Sequence, residues 1–272
     1  MTENERAALA QLAHKLALRA GVEIMRLYRR DIAVQRKSDS SPVTEADEIA
    51  DALIVAGLAD AAPNIPTVSE ESVARGRMPD ISDGRFWLVD PLDGTKEFIS
   101  GSDEFTVNIA LIENGSPVLG ALHAPALGEC YLADGSGAFL IREDGSRRPI
   151  RARVLPADGA VVVASRHHRD AETDEFIARH HTASVTSAGS ALKFGLLAKG
   201  EADLYPRFGR TMEWDTAAGH AVLAAAGPLL PRMWGAAPEV LRAGARAARF
   251  VSSPVISEVA QKLQQPSLIE HR

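Results

Sequence analysis

The chain carries a single cysteine, Cys130, among 272 residues. A lone thiol can form neither an internal disulfide nor a multi-thiolate zinc site, so the expected setting is a reducing cytoplasm, with peripheral attachment to the inner membrane as the alternative. Aromatic residues make up only 5%, and no stretch approaches the ~18 consecutive apolar residues that a membrane span requires. Base is also in deficit, with 30 Lys and Arg against 36 Asp and Glu and a formal net charge of -6. That balance disfavours a general affinity for nucleic acid polymers or anionic membranes. Glu3 and Glu5 stand ahead of an amphipathic pattern, so the N-terminus reads as neither a signal peptide nor a transit peptide.

What the chain does have is an apolar fraction of 46%, over a length that fits one large domain or two smaller ones. Either option buries a sizeable core without disulfides. The first thirty residues read as one helix, with Leu9, Leu12, Leu16, Ile24 and Leu27 on one face and Thr2 and Glu5 at capping-box spacing. A second helix is expected after Thr44, with Asp47 three residues on and Ile49, Ala50, Leu53 and Ile54 as its buried side. Thr67 to Glu71 reads as a short strand ending in acid. Phe86–Val89, Phe105–Ile112, Val118–Leu122, Glu129–Ala133 and Ala138–Ile141 come next as strands, with turn signals at Asn114-Gly115, Asp134-Gly135 and Asp144-Gly145. Consecutive hairpins mean an antiparallel meander rather than a parallel dinucleotide-binding sheet.

From about Leu155 the pattern changes. Val161–Ala164 and Ala202–Tyr205 read as strands, and Glu172–His180, Ser190–Ala198, Thr216–Ala226 and Ser257–Leu263 as helices. The expected organisation is an α+β domain over residues 1–155, built on the antiparallel sheet and carrying a metal site. An α/β domain over 156–272 would bind substrate.

The most informative segment is Asp90-Pro91-Leu92-Asp93-Gly94-Thr95. An apolar strand delivers two carboxylates and a hydroxyl into a turn that Pro91 stiffens and Gly94 frees. Two carboxylates about 4 Å apart repel by about 4 kcal/mol at an effective dielectric of about 20. A divalent cation removes that repulsion, and hard oxygen ligands select Mg²⁺, Mn²⁺ or Ca²⁺. Glu70 and Glu71 offer further acid, although a solvated strand end is the plain alternative. Asp215 comes after Trp214 at the start of a helix, where a carboxylate is also favoured by the helix dipole. Together Glu70, Asp90, Asp93 and Asp215 supply oxygens for a two- or three-metal site that clamps a phosphate. Other phosphate chemistries drop out: there is no P-loop, no Gly-x-Gly-x-x-Gly, no Gly-x-Ser-x-Gly and no His-Glu-x-x-His. The acids of the strand end are three apart, not the two apart that an Asp-x-Asp phosphatase needs.

Asp90 to Thr95 resembles the signature of the lithium-sensitive, Mg²⁺-dependent phosphatases that include inositol monophosphatase. Trp214-Asp215-Thr216-Ala217-Ala218, with Ala226-Gly227 after it, is similar to that superfamily's second signature, and Ser69-Glu70-Glu71 lies where its metal-binding Glu is kept. Lys96-Glu97-Phe98, Tyr205-Pro206-Arg207-Phe208-Gly209 and Gly219-His220-Ala221-Val222 resemble the 3′(2′),5′-bisphosphate nucleotidase branch, the bacterial CysQ type. The resemblance runs from Lys37 to Gly227.

The resemblance implies a layered αβαβα sandwich of the sugar-phosphatase type. It implies Glu70, Asp90, the Leu92 carbonyl, Asp93 and Asp215 as metal ligands, with Glu70 also catalytic. Thr95, hydrogen-bonded to Asp47, would orient and deprotonate the attacking water, although each residue also has a plain reading as turn hydroxyl or helix cap. Backbone N–H groups of Gly94 and Thr95 would bind phosphate oxygens. His168, in Ser165-Arg166-His167-His168, would contact the nucleotide; Ser190 and Lys193 would meet the second phosphate and ribose, Arg207 would add a guanidinium fork, and Asp215 would also face substrate. Taken singly, Lys193, Arg207 and His168 also read as ordinary surface residues.

The implied reaction is hydrolysis of the 3′-phosphate of adenosine 3′,5′-bisphosphate to AMP, by direct attack of a metal-activated water. The related 3′-phosphoadenylyl sulfate is a second substrate, and the setting is sulfate assimilation. Mg²⁺ is the expected cofactor, Mn²⁺ a substitute, and Li⁺ and Ca²⁺ inhibitors; the chain would act as a monomer or homodimer. The rivals are inositol monophosphatase or fructose-1,6-bisphosphatase activity on the same fold, and a non-catalytic sensor of nucleotide and metal. Two features depart from the pattern: Ala191 stands where Ser is common, and Pro228 to Arg249 lacks the usual polar Asp/Gly segment.

Overall fold

A computed structural model of the chain describes residues 1–30, 34–36, 42–167, 169–209 and 211–227. His168, the divergent segment from Pro228 to Arg249 and the helix expected at Ser257–Leu263 lie outside the described residues.

Helix α1 (Glu3–Leu27) starts where the Thr2 hydroxyl accepts from the Glu5 amide, and it buries Leu9, Ala13, Leu16, Ala17, Ala20 and Ile24 at three- and four-residue steps. Two short strands, β1 (Val34–Arg36) and β2 (Pro42–Thr44), pair antiparallel ahead of α2 (Glu45–Ala61). That helix opens on a complete capping box between Thr44 and Asp47. Strand β3 (Thr67–Ser69) leads into a short helix, α3 (Glu70–Ala74). Next come β4 (Arg85–Asp93), α4 (Thr95–Ile99) and the meander β5 (Thr106–Glu113), β6 (Ser116–Ala124), β7 (Glu129–Ala133), β8 (Ala138–Arg142) and β9 (Arg147–Pro149). These seven strands lie in the order β3-β4-β5-β6-β7-β8-β9, with β3 parallel to β4 and the other neighbours antiparallel.

The sheet is covered on both sides, which is why its strands read as continuous apolar runs. Trp87, Val89, Ile109, Leu111 and Leu119 face α1 and α2, meeting Leu16, Ile24, Ile54 and Leu58. Their neighbours Phe86, Leu88, Ala110 and Ile112 face the opposite way, with Leu122 and Tyr131 beside them, against α6 (Leu192–Ala198) and α7 (Ala217–Ala226). Beyond those helices, β10 (Ala160–Ser165) and β11 (Thr182–Ala188) form a two-stranded parallel sheet, on which α5 (Ala171–Arg179) rests through Phe176 and Ile177. The result is the layered α/β/α/β/α arrangement. One apolar cluster joins Leu88 of the large sheet to Val163, Phe194 and Trp214, so both parts of the chain share it. No helix among the described residues is long and apolar enough to cross a membrane.

Three local expectations are corrected, and one strand was not expected at all. The strand read over Thr67–Glu71 stops at Ser69, because the Ser69 hydroxyl accepts from the Ser72 amide and starts α3 at Glu70. The strand read as Phe86–Val89 continues to Asp93, with an irregular register between Asp90 and Asp93 that accommodates Pro91, which has no N–H to donate. Ala202–Tyr205 makes only one parallel bridge, Leu204 to Val162. Strand β11 was hidden because Thr182–Ala188 is polar and largely exposed, with no apolar alternation to mark it.

Packing of α1 against the meander buries His123 of β6, which sits against Gly21 with Nδ1 at 3.1 Å from the Glu129 carbonyl. Burial pushes this imidazole down to about 4, and the neighbouring His14 is lowered too, again by burial. A histidine depressed in the folded state binds its proton more readily when unfolded, so its contribution to stability is complete above about pH 6.5 and is lost as pH falls towards 4. Between pH 7 and pH 5 this group alone should remove about 2 kcal/mol. In urea titrations, His123→Leu is expected to lose less stability over that interval than the parent chain by about this amount; equal losses would refute the assignment.

Candidate active site

The geometry begins with β3 and β4. Because these strands are parallel and Ser69 pairs with Val89, the next residue of each, Glu70 and Asp90, emerge side by side at the same sheet end. The irregular register of β4 then turns Asp93 towards Asp90. Asp215 reaches them from the turn ahead of α7, where its carboxylate accepts from the Met212 amide at 3.0 Å. Oxygens of Asp90, Asp93 and Asp215 lie within 4.8 Å of one another. Glu70 is close enough for its charge to disfavour ionisation of both Asp93 and Asp215.

The protein holds these acids by backbone donors. Asp90 accepts from the Leu92 amide at 3.1 Å, and Asp93 from the Ala191 amide at 2.6 Å. Burial pushes the Asp93 carboxyl up to about 6; Lys193 and the Ala191 bond oppose this, and Glu97 and Glu70 reinforce it. Asp215 is held well above the ordinary carboxylate range by burial, with Asp93 and Glu70 adding to the rise. Acids that resist ionisation chiefly through burial, and further through neighbouring carboxylates, form a site that a divalent cation would relieve. An all-oxygen donor set fits a hard ion of the Mg²⁺, Mn²⁺ or Ca²⁺ type.

At the rim, the Thr95 hydroxyl lies 3.2 Å from Asp47 Oδ1 and 3.3 Å from the Leu92 carbonyl. The other Asp47 oxygen accepts from both the amide and the hydroxyl of Thr44, each at 2.7 Å. Asp47 is therefore both helix cap and partner of Thr95. The two readings of the residue describe its two oxygens. Gly94 stands in the left-handed region at φ 91°, and a Cβ there would lie 3.2 Å from both the Glu104 carbonyl and Ser190. Glycine suits the turn for conformation and for space.

On the opposite wall, the loop after β11 contributes Ser190, itself at φ 44°, and the first turn of α6 contributes Lys193. Lys193 is not the solvated surface charge of the plain alternative: it is buried, its ammonium donates to the carbonyls of Ala188 and Ser190, and it lies 5.2 Å from the Tyr205 ring centre. Burial lowers it to about 8, against the pull of Asp93 and Glu97. Arg207 donates from Nε to the Thr211 hydroxyl at 2.9 Å, and its charge is felt at Lys193 and Asp215. The structure thus brings together Asp47, Glu70, Asp90, Leu92, Asp93, Gly94, Thr95, Ser190, Lys193, Arg207 and Asp215, while His168 falls outside the described residues. Glu97 stands out in the sequence only as part of a motif; in the fold it is buried, within electrostatic reach of Lys193 and Asp93, and 3.4 Å from His167 Nε2.

The chain belongs to the inositol monophosphatase family, whose model matches residues 5–270. Among curated proteins it is 49% identical over 215 residues to the 3′(2′),5′-bisphosphate nucleotidase CysQ of Shigella flexneri, covering 78% of this chain and 86% of that one. The Escherichia coli K12 protein of the same name is 48% identical over the same shares. Among solved structures, CysQ from Bacteroides thetaiotaomicron matches with a TM-score of 0.66 at 39% identity, over 81% of this chain and 87% of that one. The Thermotoga maritima inositol monophosphatase gives 0.68 at 31% identity, over 80% and 82%. Membership in this family implies metal-dependent catalysis.

Cation binding should stabilise the fold by neutralising the acids. At a hundredfold excess of Mg²⁺ over its dissociation constant the gain is about 3 kcal/mol, or roughly 5–10 °C in Tm. Asp93→Asn should abolish most of that gain while leaving the metal-free chain no less stable than the parent. A calorimetric shift of equal size in Asp93→Asn would place the cation elsewhere.

Proposed function

We propose that this chain is a Mg²⁺-dependent 3′(2′),5′-bisphosphate nucleotidase that removes the 3′-phosphate of adenosine 3′,5′-bisphosphate, giving AMP and phosphate. The observation that carries the reading is the Thr95–Asp47 pair at the rim of the Asp90, Asp93 and Asp215 cluster. The choice of substrate rests on the relatives' names and on the cationic wall of Lys193 and Arg207.

Asp90, Asp93, Asp215, Glu70 and the Leu92 carbonyl would hold Mg²⁺; the second lone pair of that carbonyl remains available beside its contact with Thr95. When bound, the cation would neutralise charge on the phosphoryl oxygens and make water more acidic. The chain's own groups do the rest. Thr95 Oγ1 donates its hydrogen towards Asp47 Oδ1, which leaves its oxygen free to take a proton from the attacking water. Two donors from Thr44 keep Asp47 from rotating, so the relay has one direction. Backbone N–H groups of Gly94 and Thr95 supply donors to the phosphate. The water oxygen bonds to phosphorus as the bond to the 3′ oxygen breaks, and that oxygen takes up a proton; no phosphoenzyme forms. Residues 1–155 contribute the metal half apart from Asp215. Residues 156–272 contribute the substrate half, in which Ser190, Lys193, Arg207 and His168 receive the ribose and second phosphate. The sulfated analogue, 3′-phosphoadenylyl sulfate, fits the same pocket chemistry.

Phosphate release from adenosine 3′,5′-bisphosphate, inositol 1-phosphate and fructose 1,6-bisphosphate, each with Mg²⁺, with EDTA and with added Li⁺, tests this reading. The nucleotide should be turned over fastest, only with Mg²⁺, and Li⁺ should inhibit. Equal or faster hydrolysis of inositol phosphate would sink the nucleotidase reading. Thr95→Val should lower kcat by about 10²–10⁴-fold with little change in KM, the size expected for a lost proton relay.

A further inference from the structure

The two parallel strands of the small sheet end together, with Ser165 opposite Ala188. The next residue after each strand, Arg166 and Gly189, bonds to the same carboxylate. Arg166 Nη2 lies 2.8 Å from both oxygens of Glu104, and the Gly189 amide donates to Glu104 Oε2 at 2.7 Å. Glu104 belongs to neither strand: it lies between α4 and β5 of the large sheet, and 23% of its side chain is exposed. Its backbone is engaged as well. The Glu104 carbonyl lies 3.2 Å from where a Cβ on Gly94 would be and 2.7 Å from one on Gly189. Gly189 is wedged between that carbonyl and the Glu97 side chain, also 2.7 Å from such a Cβ, so the loop approaches this closely only because position 189 has no side chain. Two residues on, the Ala191 amide reaches Asp93, and Lys193 folds back onto the Ala188 and Ser190 carbonyls.

We infer that Glu104 is a positioning residue for substrate binding. It fastens the carboxyl ends of both strands of the small sheet to the segment between α4 and β5, whose backbone packs against Gly94 of the metal-holding turn, and so sets where the 166–167 and 188–193 segments face the nucleotide. The inference rests on the nucleotidase reading for the identity of the substrate, but not for the mechanical role. A charge-assisted bond to an arginine and a bond to a backbone amide are both lost in Glu104→Ala, while Asp93 keeps its own tie to Ala191. The consequence should fall on affinity for the larger substrate rather than on the chemical step.

The test uses the full chain with Mg²⁺. Glu104→Ala should raise KM for adenosine 3′,5′-bisphosphate about ten- to hundredfold, the loss expected for bonds of this kind, with kcat down by less than about threefold. Glu104→Gln, which keeps an acceptor for the Gly189 amide, should recover part of the loss. Equal falls in kcat on the bisphosphate and on p-nitrophenyl phosphate, with KM unmoved, would overturn the inference. Amide hydrogen exchange on the same variants needs no turnover. In Glu104→Ala the Gly189 amide and its loop neighbours should exchange at least about tenfold faster, while the β4–β5 amides stay as in the parent. Unchanged exchange at Gly189 would overturn the positioning role even if the nucleotidase reading stands. A parent chain that leaves the bisphosphate intact, with fast exchange at Gly189 in the variant, would overturn the substrate and uphold the tie.

Discussion

Like charges forced together out of water impose the main constraint on this protein. Asp90 and Asp93 of one strand end meet Asp215 from a distant segment of the chain, and burial leaves Asp93 and Asp215 reluctant to ionise. Around them, backbone donors from Leu92, Ala191 and Met212 each hold an oxygen of one acid. Lys193 donates to the carbonyls of Ala188 and Ser190, and its charge reaches Asp93. Acids gathered in this way form a site of the kind that a divalent cation would relieve.

Such a site needs rigid supports, and the layers provide them. Parallel pairing of β3 with β4 aligns Glu70 with Asp90, and the shared apolar cluster seats α7, with Asp215 at its head, on the same sheet. Among the described residues, the small sheet meets the site through the loops at the carboxyl ends of its strands. That is where ligands meet parallel strands in general, and here the segments are pinned from across the cleft by Glu104 and Asp93. The two sheets are thus tied to each other at the site itself.

Much of this fold and site is legible in the sequence. The apolar runs of the meander and the helical spacing in α1 and α2 reflect short-range periodicity, and the acids of β4 announce themselves as a dense motif. The elements that escape are those whose signal is polar or local. Strand β11 is exposed along most of its length, so its partner β10, not its own pattern, makes it a strand. Ser69 turns a strand end into a helix start through one hydroxyl bond. Glu104 sits in a polar stretch that reads as an ordinary surface loop, and nothing nearby in sequence shows that its partners lie 62 and 85 residues on.

The sequence by itself determined the inventory: the carboxylates, the hydroxyl, the glycine and the cationic residues, and the family pattern they compose. It also showed a chain poor in base, which describes the bare polypeptide rather than a site completed by cations. Only the tertiary structure decided which of those groups meet. It turned Lys193 inward, gave Asp47 two different partners for its two oxygens, and made Glu104 the link between two sheets. The reason is physical. Propensity and periodicity act over a few residues, whereas desolvation and charge repulsion act on whatever the packed layers bring within a few ångströms.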